Sequence, residues 1–302
     1  AIFVSKGSIS MGGLTALLMY NHMLVDPLMN WMECYQNLIK CRISIKRIQE
    51  VLSLNQTERK LIVTGVDQIV CSHVSFSYPK EQKQILSDAH FTLKRNQRYL
   101  IKGRSGIGKS TMVHLIAGFL IPQSGSIAYM AEGERMHGIP KMGYLMQDGF
   151  LFDESIQANI RIANAQLSED EMQVLLEVCC LKEVEEALHG ETIGENGSRL
   201  SGGEQKRVLL AQSLAQKECD LLIFDELSSG LDPMTYQCIC ERMTPYLQNK
   251  ISLFIEHHPS DAMSYDGLLS IQNGIVTLKE MEKQDMGQIK EDIHQSEVAS
   301  QN

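Results

Sequence analysis

Hydrophobic and polar positions divide the chain into unlike regions. From Gly7 to Val25 no residue is charged, and Leu14, Leu17, Leu18, Met19, Met23, Leu24 and Val25 supply the apolar bulk. That length stands at the threshold for spanning a bilayer, although Gly12, Gly13, Asn21 and His22 dilute it. Trp31, Cys34, Tyr35, Leu38, Cys41, Ile45, Ile48 and Leu52 then recur at helical spacing, so the helix is predicted to continue as an amphipathic rod. Lys40, Arg42, Lys46 and Arg47 form a basic cluster beyond the apolar run, the flank that the positive-inside rule places in the cytoplasm. Taken alone, the segment also suits a buried helical hairpin.

From about Ile69 the period changes. Short β-type runs (Ile69 to Phe76, Tyr99 to Ile101, Lys141 to Met146, Leu221 to Phe224, Ile251 to Ile255) alternate with helical stretches, which predicts an α/β domain with a largely parallel sheet. Between Glu154 and Leu188 the strand signals vanish and helical ones take over, with Ser168 and Glu171 spaced as a capping box. An all-helical insertion is the simplest account. After Leu278 the sequence is charged, Gln-rich and aperiodic, so a solvated tail is expected.

Composition narrows the function classes. At 302 residues the chain has room for two domains, by the rough rule of about 150 residues each. Hydrophobic residues at 43% and charged ones at 22% are ordinary globular values and exclude a disordered or low-complexity chain. A mean hydropathy of −0.14 excludes a multi-span membrane protein over the whole length. Lys and Arg total 28 against 37 for Asp and Glu, and the resulting −9 is the opposite of a nucleic-acid binder's basic footprint. Eight cysteines without a CxxC pair point to free thiols in a reducing compartment rather than a zinc site or disulfide framework. The chain starts at Ala1 with nothing resembling a cleavable signal peptide, so a piece of a longer protein is expected.

The strongest chemical signal is Gly103-Arg104-Ser105-Gly106-Ile107-Gly108-Lys109-Ser110, a GxxxxGK[ST] loop between an apolar strand and a helix. Glycines let successive backbone N–H groups converge on a phosphate, and the helix aims its positive end at the same anion. Lys109 would bridge the β- and γ-phosphates, and the Ser110 hydroxyl would ligate Mg2+. Farther on, Asp220 to Phe224 is an apolar strand ending in Asp225-Glu226. Asp225 suits the metal, most simply through water, and Glu226 can polarise an attacking water at the γ-phosphate.

Leu200-Ser201-Gly202-Gly203-Glu204, just upstream of that strand, resembles the LSGGQ signature of ATP-binding cassette (ABC) proteins. Other positions fall in that family's order. Tyr78 resembles the aromatic that stacks on adenine and Gln147 the Q-loop glutamine. Ser228-Ser229-Gly230-Leu231-Asp232 resembles the D-loop. His257 resembles the switch histidine, with His258 as its competitor. Thr192-Ile193-Gly194-Glu195-Asn196-Gly197 resembles the TxxGExG segment of ABC exporters, which touches the cytoplasmic ends of their membrane helices. The resemblance covers roughly residues 67 to 280.

It implies a P-loop NTPase of ABC type, with a parallel-sheet core, an antiparallel β-subdomain and a helical subdomain at about 154–216. Before it would come a last transmembrane helix (1–33) and a cytosolic helical extension (34–66), and after it a polar tail (281–302). ATP and Mg2+ are the implied cofactors. Tyr78, Gly103, Arg104, Ser105, Gly106, Ile107, Gly108, Lys109, Ser110, Thr111 and Gln147 would meet the nucleotide; Ser110, Gln147 and Asp225 the metal; Glu226, His257 and Lys109 would act in catalysis. Leu200 to Glu204 would serve nucleotide bound by a second nucleotide-binding domain, beside Ser229, Gly230, Leu231 and Asp232. The implied activity is ATP hydrolysis at a head-to-tail dimer, driving export through membrane-domain helices. The implied location is the plasma membrane, crossed at residues 7–32, with the ATPase on the cytoplasmic side.

Three positions depart from the family pattern: Glu204 replaces the signature Gln, Asn96 a turn Gly, and Gln212 a frequent Arg. Glu204 puts negative charge beside a phosphate, so weaker binding is expected. That keeps open a second reading, an ATP-holding half of a heterodimer with little hydrolysis of its own. Chromosome-organising and DNA-repair ATPases share the signature, but long heptad arms, paired cysteines and a basic surface are missing.

Overall fold

The computed structural model describes residues 10–52, 61–79, 84–256 and 259–281. The chain separates into two compact units, Ala1–Arg59 and Lys60–Asn302. The tail expected at 281–302 lies outside the described residues except for Met281.

The first unit is one continuous helix, α1 (Met11–Leu52), 42 residues long. The Ser10 hydroxyl accepts from the Gly13 N–H at 3.1 Å and closes its first turn. Helical spacing anticipated a single rod. Trp31, Tyr35, Leu38, Ile45, Ile48 and Leu52 are exposed and, at about 3.6 residues per turn, share one face, whereas in the first half Leu17, Met19, Met23, Val25 and Met29 are exposed on different sides. α1 does not supply the apolar length expected of a span at 7–32: no helix among the described residues is long and apolar enough to cross a membrane. Gly12, Gly13, Asn21 and His22 interrupt the run, and Asp26 and Pro27 end it.

The second unit is built on a six-stranded sheet of order β12-β11-β4-β10-β9-β8. Its members are β4 (Gln97–Lys102), β8 (Met142–Leu145), β9 (Leu221–Asp225), β10 (Ile251–Ile255), β11 (Gly267–Gln272) and β12 (Ile275–Glu280). All neighbours pair in parallel except β11 with β12. Alternation through the central strands supplies two cores. Leu100, Leu222, Phe224 and Phe254 face one side, with the Phe224 and Phe254 rings stacked at 4.8 Å. Tyr99, Ile101, Leu221, Ile223, Leu253 and Ile255 face the other.

Two smaller sheets complete the strands. The antiparallel sheet β3-β2-β5-β6 contains β2 (Gln68–Phe76), β3 (Leu86–Lys94), β5 (Ser124–Ala131) and β6 (Glu134–Met136). It is the β-subdomain that the family resemblance implied, whereas apolar patterning had marked only β2. A short parallel pair joins β1 (Ile62–Val63) to β7 (Ile139–Pro140). Between β8 and β9 the chain is helical: α3 (Ile156–Ala163), α4 (Glu169–Val178), α5 (Lys182–Leu188) and α6 (Gly202–Leu214). The Ser168/Glu171 capping box closes α4 as its spacing predicted. The remaining helices are α2 (Lys109–Ile116), directly after the glycine loop, and α7 (Pro233–Met243), between β9 and β10.

Candidate nucleotide site

In an open parallel sheet, ligands bind in the crevice beyond the carboxyl ends of the strands. Here β4 delivers Gly103, β8 delivers Gln147 and β9 delivers Glu226 to that same edge. β10 ends there too, at Glu256, but His257 and His258 lie outside the described residues.

The phosphate loop ends in an open helix terminus. Gly108 caps α2 with φ of +115° and no side-chain hydrogen bond. A Cβ at that position would stand 2.4 Å from the Ile85 Cγ2, so only glycine fits. Lys109 curls back and donates from Nζ to the carbonyls of Gly103 (2.7 Å) and Arg104 (3.2 Å). Burial lowers its pKa, while Glu226 and Asp225 nearby push it upward. Arg104, Ser105 and Gly106 are exposed; Ile107 is half-buried, and its N–H donates to the Arg104 carbonyl at 3.2 Å. Tyr78 packs edge-on to Phe76, and its hydroxyl lies 3.2 Å from the Thr111 Oγ1, beside the start of α2.

Across from Lys109 stand two adjacent carboxylates. Asp225 is carried inward by the fully buried β9 and is only 5% exposed. Burial raises its pKa, as does Glu226, while a hydrogen bond from the Ser110 hydroxyl at 3.5 Å opposes the shift. Glu226 takes a left-handed φ of +55°, a conformation that costs a non-glycine residue roughly 1–3 kcal/mol. Its backbone is pinned: its N–H donates to the Ile255 carbonyl at 2.9 Å, and its carbonyl accepts from Ser229 N–H (3.1 Å) and from Lys206 Nζ. Gln147 Nε2 lies 3.4 Å from the Glu226 Oε2. Among the described residues no group of three or more His, Cys, Asp or Glu could hold a metal by itself. One buried carboxylate, one hydroxyl and one amide instead suit a hard cation that arrives with phosphate oxygens and water. A cation beside Asp225 would also relieve its crowding by Glu226.

Two supports behind this edge had no sequence signal strong enough to single them out. Glu256, 4% exposed, accepts from the Ser228 hydroxyl at 2.6 Å and from the Ser228 N–H at 3.2 Å. Burial pushes its pKa up to about 7 against those bonds and the nearby Lys206 charge. Lys206, on α6, is lowered by its own burial, while Glu256, Glu226 and Asp225 draw it upward. The visible hint was an acid directly after a five-residue apolar strand and directly before His257.

The signature begins α6 with Ser201 as its cap. Leu200 is buried beneath it and Gly202 is exposed. Gly203 lies against the D-loop: a Cβ there would stand 2.6 Å from the Gly230 carbonyl oxygen. The D-loop folds as a turn, Leu231 N–H to Ser228 carbonyl at 3.2 Å, and Asp232 then caps α7 by accepting from Thr235 N–H at 3.0 Å. Glu204 does more than add charge. Its Oε2 accepts from the Ser201 N–H (2.7 Å) and the Ser201 hydroxyl (2.8 Å), while the Ser201 hydroxyl accepts from the Glu204 N–H (3.3 Å). Desolvation raises its pKa, but the Ser201 bonds and the Arg207 charge outweigh this and hold it below its usual range.

The other two departures have local explanations. Asn96 takes φ of +61° in the β3–β4 turn, a conformation asparagine tolerates, and its Oδ1 accepts from the Asn249 N–H at 3.2 Å. Gln212 donates to the Asn159 carbonyl at 2.9 Å, joining α6 to α3. Within Thr192 to Gly197, the Asn196 side chain accepts from the Leu151 N–H at 3.2 Å. The exposed Phe150 and Phe152 flank that contact, packed edge to face at 5.3 Å.

The family model described as ABC transporter matches residues 86–229. The chain is 27% identical over 285 residues to the leukotoxin translocation ATP-binding protein LktB of a Pasteurella haemolytica-like species, covering 91% of this chain and 40% of the relative. It is 28% identical over 286 residues to the alpha-hemolysin translocation ATP-binding protein HlyB of Escherichia coli, at 91% and 40% coverage. Against the glutathione/L-cysteine transport system ATP-binding/permease protein CydD of Bacillus subtilis it is 32% identical over 242 residues, 76% of this chain and 42% of the relative. The chain thus spans about two-fifths of these relatives' length. Among solved structures, a bacterial Atm1-family ABC exporter with ATP bound superimposes with a TM-score of 0.71 at 24% identity, over 98% of this chain and 54% of that one.

Proposed function

The chain belongs to the ABC transporter family, and on that premise we propose that it binds and hydrolyses ATP at a head-to-tail dimer, powering export across a membrane. The observation that carries this reading is the convergence of Lys109, Ser110, Gln147, Asp225 and Glu226 at one edge of the parallel sheet. On binding, the open N-terminus of α2 receives the phosphates, and Lys109 exchanges the carbonyls of Gly103 and Arg104 for phosphate oxygens. Mg2+, held by Ser110, Gln147 and Asp225, would supply charge neutralisation on the phosphates. Glu226, fixed in its strained turn, orients the attacking water, and His257 would stabilise charge on the γ-phosphate.

Ser201 and Gly203 complete the site of a second copy or a related domain, which explains why Gly203 packs on the D-loop while Lys109 and Ser110 face β9. The exposed Phe150 and Phe152 beside Asn196 offer apolar contacts to membrane-domain helices. Residues about 7–32 would lie at the plasma membrane, with the ATPase domain in the cytoplasm and no nucleic acid involved. The test is Glu226→Gln: ATP binding persists, phosphate release stops, and ATP traps a stable dimer on size exclusion. Undiminished steady-state hydrolysis would sink the assignment.

One observation favours a second reading. The Glu204 carboxylate already holds the Ser201 hydroxyl that would meet the neighbouring nucleotide. In that reading the site that this signature completes holds ATP without turning it over, and hydrolysis falls to the other site, whose signature comes from a partner of different sequence. Hydrolysis by the isolated chain that climbs more steeply than linearly with its concentration excludes it.

A further inference from the structure

Cys180 and Cys238 take no part in the chemistry above. Cys180 lies in the turn between α4 and α5, and Cys238 lies on α7, which starts at Asp232 of the D-loop. Their sulfurs are 3.8 Å apart. Both residues are half-buried, unlike the sealed Cys71, Cys179, Cys219 and Cys240, so a small oxidant can approach either one.

Position 180 is an awkward place for a cysteine. It closes the end of α4 with φ of +53°. Its N–H donates to the Glu177 carbonyl (3.1 Å), and the Leu181 N–H reaches back to the Leu176 carbonyl (2.7 Å). That pattern ordinarily takes glycine, because a side chain in the left-handed region is strained. The strained slot places the thiol against Cys238. Two guanidinium groups brace the junction: Arg207 of α6 donates to the Cys180 carbonyl, and Arg242 of α7 donates to the Glu177 carbonyl at 2.8 Å. Arg242 also comes within 4.0 Å of the Cys180 sulfur.

We propose that Cys180 and Cys238 are a reversible redox site whose disulfide staples the helical insertion to α7 and thereby slows the motor. The oxidant is a low-molecular-weight disulfide, RSSR. One protein thiolate attacks a sulfur of RSSR and expels RS⁻; the second thiolate attacks the protein sulfur of the mixed disulfide and expels the other RS⁻. Two protein thiols are oxidised, RSSR is reduced, and the two protons from the cysteines leave two RSH. Shrinking 3.8 Å to a bond of about 2.05 Å calls for a shift of less than about 2 Å. Burial holds the Cys180 thiol above its usual range, so the exchange quickens as pH rises. The staple acts on function because α7 starts at Asp232, and the D-loop behind it carries Gly230 against Gly203. That second half rests on the ATPase reading; the bond itself does not.

The reduced chain is incubated with hydroxyethyl disulfide at about pH 8, close to an ordinary thiol pKa, then alkylated, digested and mapped by mass spectrometry. The expected product is a peptide joining Cys180 to Cys238, reversed by dithiothreitol, with hydrolysis severalfold slower before reversal. Cys238→Ser should escape the inhibition, and so should Cys180→Gly, which suits the left-handed turn and keeps the fold. Mixed disulfides on single cysteines without the joined peptide overturn the proposal. A joined peptide with unchanged hydrolysis overturns its link to the motor. If the reduced chain hydrolyses no ATP, the ATPase reading fails, and the peptide map still decides the redox site.

Discussion

Helices α2 and α6 both follow glycine-bearing turns, yet their N-termini are left in opposite states. At α2 the cap is Gly108, which contributes no side chain and no capping bond. At α6, Ser201 and Glu204 satisfy each other's backbone donors in a complete capping box. An anion approaching α2 finds free amides and a lysine resting on carbonyls it can release. At α6 it meets a carboxylate already seated on the capping hydroxyl. Glycines and a helix start are therefore ingredients of an anion cradle, not a guarantee of one. What decides is whether the chain itself fills the positive end.

Damage to the open terminus should have the largest effect. In Gly108→Ala the new methyl meets Ile85 at 2.4 Å, in a backbone conformation that strains any L-residue. Relief must come from moving the loop, at a cost of roughly 1–3 kcal/mol before the clash is counted. ATP affinity in a fluorescence titration should fall at least about tenfold, the equivalent of 1.4 kcal/mol, and the melting temperature should drop with it. Unchanged affinity would mean that the α2 terminus is not where phosphate binds.

A second test probes the support beneath the signature side, where Glu256 holds Ser228 at the head of the D-loop. Its pKa in the fold is raised from 4.5 to about 7, chiefly by burial. Between those values the folded chain binds the proton more tightly than the unfolded chain. The stability this group contributes is thus complete at low pH and is lost as pH rises through about 7. Glu256→Gln removes that dependence. Measured against it, the wild type should lose on the order of 2–3 kcal/mol between about pH 4.5 and pH 8, read as diverging denaturation midpoints. Parallel curves across that range would show that Glu256 does not titrate in the fold.

How much of this was legible in the sequence depended on the distance between the partners. Buried parallel strands such as β9 and β10 are mostly apolar runs, and the phosphate loop and the Ser168/Glu171 box are local patterns, so each could be read directly. By contrast β5, Ser-Gly-Ser-Ile-Ala-Tyr-Met-Ala, is rich in small residues of weak strand preference and gave no signal. Ser228 with Glu256, Gly203 with Gly230 and Cys180 with Cys238 lie far apart in sequence and meet only through the topology. Glu256 in particular reads as a solvated acid until β10 is seen to end inside the domain. Glu204 was legible as a departure, but its bond to Ser201 was not, because a charge change alone does not say where the carboxylate points.

The smallest expected effect is the sharpest test of the comparison, because Glu204→Gln changes charge at α6 while a glutamine at that position can still reach back to the Ser201 N–H. The cap survives and the carboxylate does not. Losing an acid from the first turn should cost about 0.3–1 kcal/mol of stability, a small fall in melting temperature. If the carboxylate obstructs the signature, hydrolysis should rise and ATP-driven association should tighten despite that loss. Glu204→Ala separates the two terms: it removes charge and cap together, so its stability should fall further, toward the typical cost of about 1 kcal/mol for a lost cap. Gain of activity in both variants assigns the effect to charge, and gain in glutamine alone shows that the signature also needs its helix start held. If neither gains, the filled terminus is no obstacle, and the contrast with α2 is structural without being functional.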